Sequence, residues 1–205
     1  MMSAPITNRK VIIIDAGHGG EDGGATSCTG VLESNLNLQI SLRLRDRMEL
    51  LGCKTILLRD SDDALHTEGQ TIAARKISDL KQRVHIINET DNAVLISIHQ
   101  NHFSDSRYAG TQVFYAPTAE SKMLAQNIQA AMKETLQSNN TRQIKAADGI
   151  YLMQHIQTTG VLVECGFISN PAEESNLRDS EYQKKLCCVI ASSCSRFLHE
   201  QDGAT

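Results

Sequence analysis

The stretch VIIIDAGHGG, residues 11–20, decides the fold of this chain. Its four leading β-branched residues form a short apolar run, which is typical of a strand buried on both faces. Similar runs occur at VLISI, residues 94–98, and at VLV, residues 161–163, with helical patterns between them. Alternating strands and helices predict a mostly parallel sheet of about six strands with helices on both faces. We therefore predict a single-domain α/β fold.

Apolar periodicity and turn residues give the expected elements. Helices are predicted over residues 34–51, 70–89, 119–137 and 181–199, and another helix begins after Asn170 and Pro171, which resemble an N-cap followed by proline at the first helical position. In the second helix, Ile77, Leu80, Val84 and Ile87 are expected on the buried side. Strands are predicted over residues 11–14, 54–58, 93–98, 110–116 and 161–163, with a further short strand over 149–153.

Length and composition indicate an ordinary globular protein. With 205 residues, 40% apolar and 21% charged, the chain fits one domain over residues 10–199, with a disordered segment over 1–9 and a tail over 200–205. The net charge of −4 disfavours a nucleic-acid partner. No apolar stretch reaches the roughly 18 residues of a membrane span, and the first residues lack the apolar core of a signal peptide. The chain is therefore either cytosolic or has lost a leader.

The six cysteines show no CxxC pair, which disfavours a structural zinc site of that kind. We expect reduced, mostly buried thiols that act as small apolar side chains.

Four residues carry the chemistry: His18, Glu33, His99 and Glu164. Three of them follow apolar runs, and polar residues at the exits of buried strands are where open α/β sheets form their sites. Two imidazoles and one carboxylate can make an open catalytic zinc site. A further glutamate nearby can supply the proton transfer that such a site needs. The pattern predicts a zinc hydrolase.

Each of these residues, taken alone, also has a simpler explanation. His18 could be a surface loop residue, and its GHGG loop could bind phosphate, although no GK[ST] follows to complete a P-loop. Glu33 could stabilise a helix N-terminus, and His99 could be a hydrogen-bonded histidine at a strand end. Glu164 is the hardest to explain structurally, because a carboxylate at the edge of a core is costly without a metal or partner.

Neighbouring polar residues have more open roles. Asp15, Glu21 and Asp22 could orient the imidazoles through hydrogen bonds, or could simply face solvent. Arg75 and Arg83 are expected to be solvated helix residues rather than substrate contacts. The candidate substrate-binding residues are Asn101, His102 and Arg142.

Together the motifs resemble the zinc-dependent N-acetylmuramoyl-L-alanine amidases, amidase family 3, over residues 10–197. The similar segments are DAGHGGEDGGA (15–25), ESNLNL (33–38), RKISDLKQRVHIINE (75–89), SIHQNH (97–102) and VECGFISNPAEE (163–174). The chain departs from the family pattern at Ala16, where proline is usual, at His102, where a small residue is commoner, and at Cys165, which replaces an aliphatic residue.

The resemblance implies one Zn²⁺ held by His18, Glu33 and His99, with Glu164 as the catalytic carboxylate. It implies cleavage of the amide between the lactyl group of N-acetylmuramic acid and L-alanine in peptidoglycan. The segments ARKISDLKQRVHIIN, GTQVFYAP and TRQIKAADGIYLMQ further resemble the cortex-acting amidases of spore-forming bacteria. An extracytoplasmic location at the cell wall or spore envelope, and a protein activator or anchor, follow as expectations from that resemblance.

Three other functions remain open on the sequence. A zinc exopeptidase or deacylase acting on small substrates would use the same ligands. A non-catalytic peptidoglycan-binding regulator would be expected to have a broken motif, and here all four residues are intact. Nucleotide binding would need a lysine after GHGG, where Glu21 and Asp22 stand instead.

Overall fold

A six-stranded sheet forms the centre of the protein in the computed structural model, which describes residues 10–202. The strands are β1 (Val11–Ala16), β2 (Lys54–Leu57), β3 (Ala93–Asn101), β4 (Gln112–Tyr115), β5 (Lys145–Ala146) and β6 (Thr159–Phe167). The helices are α1 (Glu33–Leu50), α2 (Ile72–Asn88), α3 (Ala119–Thr135), α4 (Tyr151–His155), α5 (Pro171–Arg178) and α6 (Ser180–Asp202). The predicted disordered segment 1–9 lies outside the described residues, as do residues 203–205 of the predicted tail over 200–205. The first part of that tail belongs to α6, which continues to Asp202, beyond the predicted helix end at residue 199.

The strand order is β2-β1-β3-β6-β4-β5, and every neighbouring pair is parallel except β4 with β6. Parallel strands need crossover connections, which the intervening helices provide. The carboxyl ends of β1, β3 and β6 therefore meet at one edge of the sheet. The predicted α/β fold with a mostly parallel sheet is confirmed.

Two apolar clusters cover the two faces of the sheet. Successive side chains of β1 point to opposite faces, so Ile12 and Ile14 belong to the larger cluster and Ile13 to the smaller one. The larger cluster packs under α1, α3 and α6, and the smaller one includes Ile87 of α2 and Met153 of α4. We call these the α1/α3/α6 face and the α2/α4 face.

The predicted cap of α5 is confirmed. The Asn170 side chain accepts hydrogen bonds from the backbone N–H groups of Ala172 and Glu173, and Pro171 occupies the first helical turn. The cap fixes the direction in which the chain leaves β6.

Two local predictions were wrong. Residues 149–153 were expected to form a strand, but Tyr151–His155 is the short helix α4, which buries Leu152 and Met153 under α2. A five-residue apolar run cannot distinguish strand from helix by periodicity. Ile77 was expected to be buried but is 53% exposed. Ile87 is buried as predicted, and the other buried residues of α2 are Ser78 and Arg83, whose guanidinium pairs with the buried Asp15.

No helix among the described residues is long and apolar enough to cross a membrane.

Candidate metal centre

The three predicted ligands converge at the carboxyl edge of the sheet. His18 lies in the loop after β1, Glu33 is the first residue of α1, and His99 lies in β3. One potential ligand atom from each residue lies within 4.8 Å of the others. These residues are 81 positions apart at most along the chain (99 − 18). The parallel topology brings them together.

The Glu33 carboxylate lies between the two imidazoles. Its Oε2 is 3.3 Å from Nε2 of His18, and its Oε1 is 3.0 Å from Nδ1 of His99. The backbone N–H of Ala25 donates to Oε2, and that of Gln100 donates to Oε1. These contacts fix both carboxylate oxygens toward the space between the rings. The planes of the two imidazoles cross at 72° with their centroids 4.9 Å apart.

Electrostatics at Glu33 favour a cation. Burial opposes its ionisation, but the hydrogen bonds and charges of His18 and His99 outweigh burial and hold the pKa of Glu33 far below its usual range. Burial also opposes the charged form of His18 and by itself would lower its pKa. The hydrogen bond to Glu33 outweighs burial, with help from Asp22, so the pKa of His18 is raised. A buried carboxylate that draws positive charge onto its neighbours is suited to holding a metal ion between them.

Two glycines are required because side chains of the candidate ligands lie where a Cβ atom would stand. A Cβ at Gly17 would lie 2.1 Å from Nε2 of His99. A Cβ at Gly24 would lie 2.6 Å from Oε2 of Glu33 and 2.7 Å from Cδ2 of His18. Side chains at either position would displace a ligand. His18 itself adopts a left-handed conformation with φ of 63°, so its loop is held in place by more than local preference.

Two buried arginines hold that loop. Arg59 donates to the carbonyl oxygens of Ala16 and Gly17, and Arg83 donates to those of Ala16 and His18. Their exposed fractions are 4% and 2%. The expectation that Arg83 is solvated was wrong, because its guanidinium pairs with Asp15 and Asp79 while satisfying loop carbonyls.

Sequence reasoning missed Arg59 as a site residue. It stands two positions after β2, and the same strand-exit rule that identified His99 could have found it. No comparable signal marked Arg83, which lies in the middle of a helix.

The carboxylates near His18 have separate roles. Oδ2 of Asp22 is 2.8 Å from Nδ1 of His18, which fixes the ring so that Nε2 faces Glu33. Asp15 is buried, and although burial raises its pKa, Arg83 and the Ser97 hydroxyl together hold the pKa below its usual value. Glu21 instead pairs with Arg75 near the surface. Of the three candidate orienting carboxylates, the structure places only Asp22 against a ligand ring.

Glu164 lies beside His99. The Cα atoms of these residues are partners in the parallel pairing of β3 and β6, so their side chains share the α2/α4 face. Oε2 of Glu164 is shielded from solvent and has no hydrogen-bond partner among the described residues. Burial raises the pKa of Glu164 to about 7, against the opposing charges of His99 and His18 and with a smaller contribution in the same direction from Glu33. A carboxylate with that pKa can both accept and release a proton near neutral pH.

A cleft of about 170 Å³ adjoins the ligands on the α2/α4 face. Its walls include His18 and His99 on the sheet side, and Tyr151 and Leu152 from the α4 region on the other. A substrate entering this cleft would meet the ligand cluster at one end.

The candidate substrate-binding residues lie at or beyond the ends of β3 and β6. Asn101 ends β3 and is partly buried, whereas His102 is exposed on the following loop. Arg142 packs over the ring of Phe167, at the end of β6.

A metal ion fits this group of side chains. Imidazole nitrogens with one carboxylate oxygen form the ligand set of catalytic zinc sites that keep a further position open. A site of this kind at the strand exits of an α/β sheet is typical of metallohydrolases.

Comparison with known proteins places the chain in a family. Residues 12–195 match the N-acetylmuramoyl-L-alanine amidase family Amidase_3. The chain is 38% identical to the germination-specific N-acetylmuramoyl-L-alanine amidase of Bacillus subtilis (strain 168), over 97% of this chain and 84% of that protein. The protein belongs to the Amidase_3 family of N-acetylmuramoyl-L-alanine amidases, as its motifs indicated.

Solved structures agree with this assignment. The CwlD amidase of Clostridioides difficile, determined in complex with the GerS lipoprotein, superposes with a TM-score of 0.89 at 37% identity, covering 93% of this chain and 99% of that one. An N-acetylmuramoyl-L-alanine amidase of Clostridium difficile 630 superposes with a TM-score of 0.83 at 27% identity, covering 94% of this chain and 98% of that one.

Proposed function

We propose that the protein hydrolyses the amide bond between the lactyl group of N-acetylmuramic acid and L-alanine of the peptidoglycan stem peptide, with one Zn²⁺ held by His18, Glu33 and His99. The observation that carries this proposal is the convergence of three ligand atoms within 4.8 Å, beside a buried glutamate, in a member of this family. The similarity to a germination-specific relative supports a role in the spore cortex.

The chain's own residues supply binding, orientation and proton transfer. His18 and His99 present ring nitrogens, and Glu33 presents a carboxylate that two backbone N–H groups hold in place. When bound, zinc would supply Lewis-acid chemistry, polarising the scissile carbonyl and lowering the pKa of the attacking water. Glu164 takes a proton from that water and delivers it to the leaving amine nitrogen of L-alanine. Its unpartnered Oε2 supports this role.

An exopeptidase or deacylase acting on small substrates would use the same four side chains. The family match and the 38% identity to a named amidase favour the peptidoglycan substrate. A non-catalytic binding module would have no use for a carboxylate with a pKa near 7 beside a ligand cluster.

A lipoprotein or other envelope protein is the partner we propose as an anchor or activator. The support is the CwlD amidase, which superposes closely on this chain and was solved with the GerS lipoprotein. An extracytoplasmic location, at the cell wall or spore envelope, accords with both the substrate and such a partner.

Digestion of purified peptidoglycan by zinc-loaded protein tests the activity. Mass spectrometry should detect free peptides beginning with L-alanine and an uncut glycan backbone, and metal analysis should find one zinc per chain. New reducing sugar ends would identify a glycosidase instead. Cleavage of free dipeptides without cleavage of peptidoglycan would establish the exopeptidase alternative.

The Glu164→Gln variant separates proton transfer from metal binding. It should retain zinc and lose activity by on the order of 10²-fold or more, because glutamine cannot accept the proton. Near-normal turnover would exclude Glu164 as the general base.

A further inference from the structure

A guanidinium stacked on aromatic rings lies at the carboxyl end of β6, the strand that carries Glu164. The Cζ atom of Arg142 is 4.3 Å from the ring centroid of Phe167 and 5.6 Å from that of Tyr108. The Tyr108 ring in turn packs edge-on against Phe103, with centroids 4.6 Å apart. We call Arg142, Phe103, Tyr108 and Phe167 the Arg142 platform. Phe103 and Tyr108 are 49% and 44% exposed, so the platform opens to solvent.

Neutral groups fix the guanidinium in place. Nε of Arg142 donates to the carbonyl oxygen of Ala109 at 2.8 Å, and Nη1 donates to Oε1 of Gln112 at 3.1 Å. Nη2 has no hydrogen-bond partner among the described residues. The side chain is therefore ordered before a ligand arrives, and one edge of its planar donor group stays available.

The positive charge of Arg142 has no ion-pair partner within the described part of the chain. Arg75 and Arg107, by contrast, each pair with a carboxylate at 2.6 and 2.7 Å. Glu173 interacts electrostatically with Arg142, but its two oxygens accept hydrogen bonds from the backbone N–H groups of Gly110 and Phe167. The guanidinium therefore remains available for an anion.

The platform lies on the same side of the sheet as the catalytic carboxylate. Gln112 of β4 and Glu164 of β6 are Cα partners, so their side chains share a face about 5 Å apart. Arg142 is bound to the far end of the Gln112 side chain. Phe167 is the Cα partner of Asn101, two residues beyond the ligand His99 on β3. The guanidinium thus lies one strand and one side chain away from the reacting position.

The residue that follows the scissile amide can reach across a gap of this kind, since each extended residue spans about 3.5 Å and its side chain adds a few more. In the stem peptide, the residue after L-alanine is acidic. We propose that the Arg142 platform binds the free carboxylate of this second residue and so selects stem peptides that carry it unmodified. The inference rests on the proposed amidase function and names a specificity determinant for it.

The test compares two peptidoglycans, one whose second stem residue is D-glutamate and one in which that carboxylate is amidated to D-isoglutamine. Arg142→Gln should lower kcat/KM on the first polymer by roughly 10- to 100-fold, because a charge-assisted hydrogen bond is lost, and change it less than about 3-fold on the second. Most of the loss should fall on KM. Arg142→Lys should recover part of it, since the charge remains and the planar fork does not.

Arg107→Ala is the matched control, because Arg107 lies on the β3–β4 loop that carries Phe103 and Tyr108 but is paired with Asp105 and highly exposed. It should behave as wild type on both polymers. Zinc content and melting temperature are measured for every variant, and the wild-type preference for the unamidated polymer provides a test that needs no substitution.

Equal losses of Arg142→Gln on both polymers, or a wild-type protein indifferent to amidation, would overturn the inference while leaving the amidase function intact. Failure of the wild type to release peptides from either polymer would instead refute the proposed function itself.

Discussion

The two faces of the central sheet are covered by different chemistry. On the α1/α3/α6 face, fully buried side chains such as Leu44, Ile128 and Ile190 form one continuous apolar cluster. On the α2/α4 face, the apolar cluster is smaller, and toward the carboxyl edge it gives way to the buried ion pair of Arg83 with Asp15 and to Glu164. The first face contributes stability through burial. The second holds charged groups that are costly to bury. They lie beside the candidate ligands, where Arg83 holds the loop that carries His18.

The difference shows where a site can form in this fold. Apolar packing by α1 and α6 stabilises the domain through a cluster separate from the smaller one on the opposite face. The thinner cover of α2 and α4 leaves a cleft beside His18 and His99. Variants that affect one face and spare the other test this division, beginning with those of largest expected effect.

His99→Ala removes one of the three proposed zinc ligands and should abolish stoichiometric zinc binding, lowering activity by roughly 10³-fold or more. Metal analysis of the purified, folded variant measures the first effect, and peptide release from peptidoglycan the second. Full zinc occupancy in this variant would show that the metal is held elsewhere.

Arg83→Met and Leu44→Ala compare the two faces directly. Removing Arg83 leaves Asp15 and Asp79 without their buried partner, at a cost of about 3–5 kcal/mol. Removing the Leu44 side chain leaves a cavity that costs about 2–5 kcal/mol. We expect similar losses in denaturant unfolding, but only Arg83→Met should also weaken zinc affinity, by roughly 10- to 100-fold, because the His18 loop loses its clamp.

Chelator competition measures those zinc affinities. Should Arg83→Met not fold, Arg83→Lys keeps a positive charge near Asp15 but loses the planar fork of five donors that reaches two loop carbonyls and two carboxylates together, so it should still bind zinc more weakly. Unchanged zinc affinity in both Arg83 variants would remove the distinction between the faces.

Glu164 should make the stability of the metal-free protein depend on pH. Its folded pKa of about 7 lies above the ordinary glutamate value of 4.5, so the folded state prefers the protonated acid. That preference is fully present below pH 4.5 and is lost as the pH rises to about 7. The metal-free Glu164→Gln variant should therefore match wild type at low pH and exceed it by on the order of 3 kcal/mol above pH 7.

Urea unfolding of both proteins at several pH values measures this difference. The comparison between variants cancels the titration of all other groups that they share. A difference that stays constant from pH 4 to pH 8 would contradict a raised pKa for Glu164.

Thiols on the α1/α3/α6 face should have the smallest effects. Cys165, Cys187 and Cys194 are buried in its apolar cluster, and burial raises the pKa of Cys187 to about 12. These three should resist alkylation in the native protein, while the exposed Cys28 and Cys188 react. Mass spectrometry of alkylated peptides measures this, and the melting temperature should not change with dithiothreitol. Rapid labelling of Cys194 would show that this face opens more readily than its packing indicates.

Local sequence determined the strands that carry the site. The apolar runs before His99 and Glu164 predicted two buried strands, and the structure extends both strands through these residues. Residue chemistry after three apolar runs, together with the motif that contains Glu33, predicted His18, Glu33, His99 and Glu164 as a group, because ligand types and strand ends are both local properties. Asn170 and Pro171 likewise specified the start of α5 by capping alone.

Only the tertiary structure decided how the site is supported. Whether Arg83 lies in water or in the core depends on Asp15, which is 68 residues away, and no helical period shows that pairing. The same holds for Arg142, whose partners Gln112 and Phe167 come from two different strands. Sequence patterns report which side chains prefer burial and which can bind a metal. Which distant groups meet is set by strand order and register, and those follow from the packing of the whole chain.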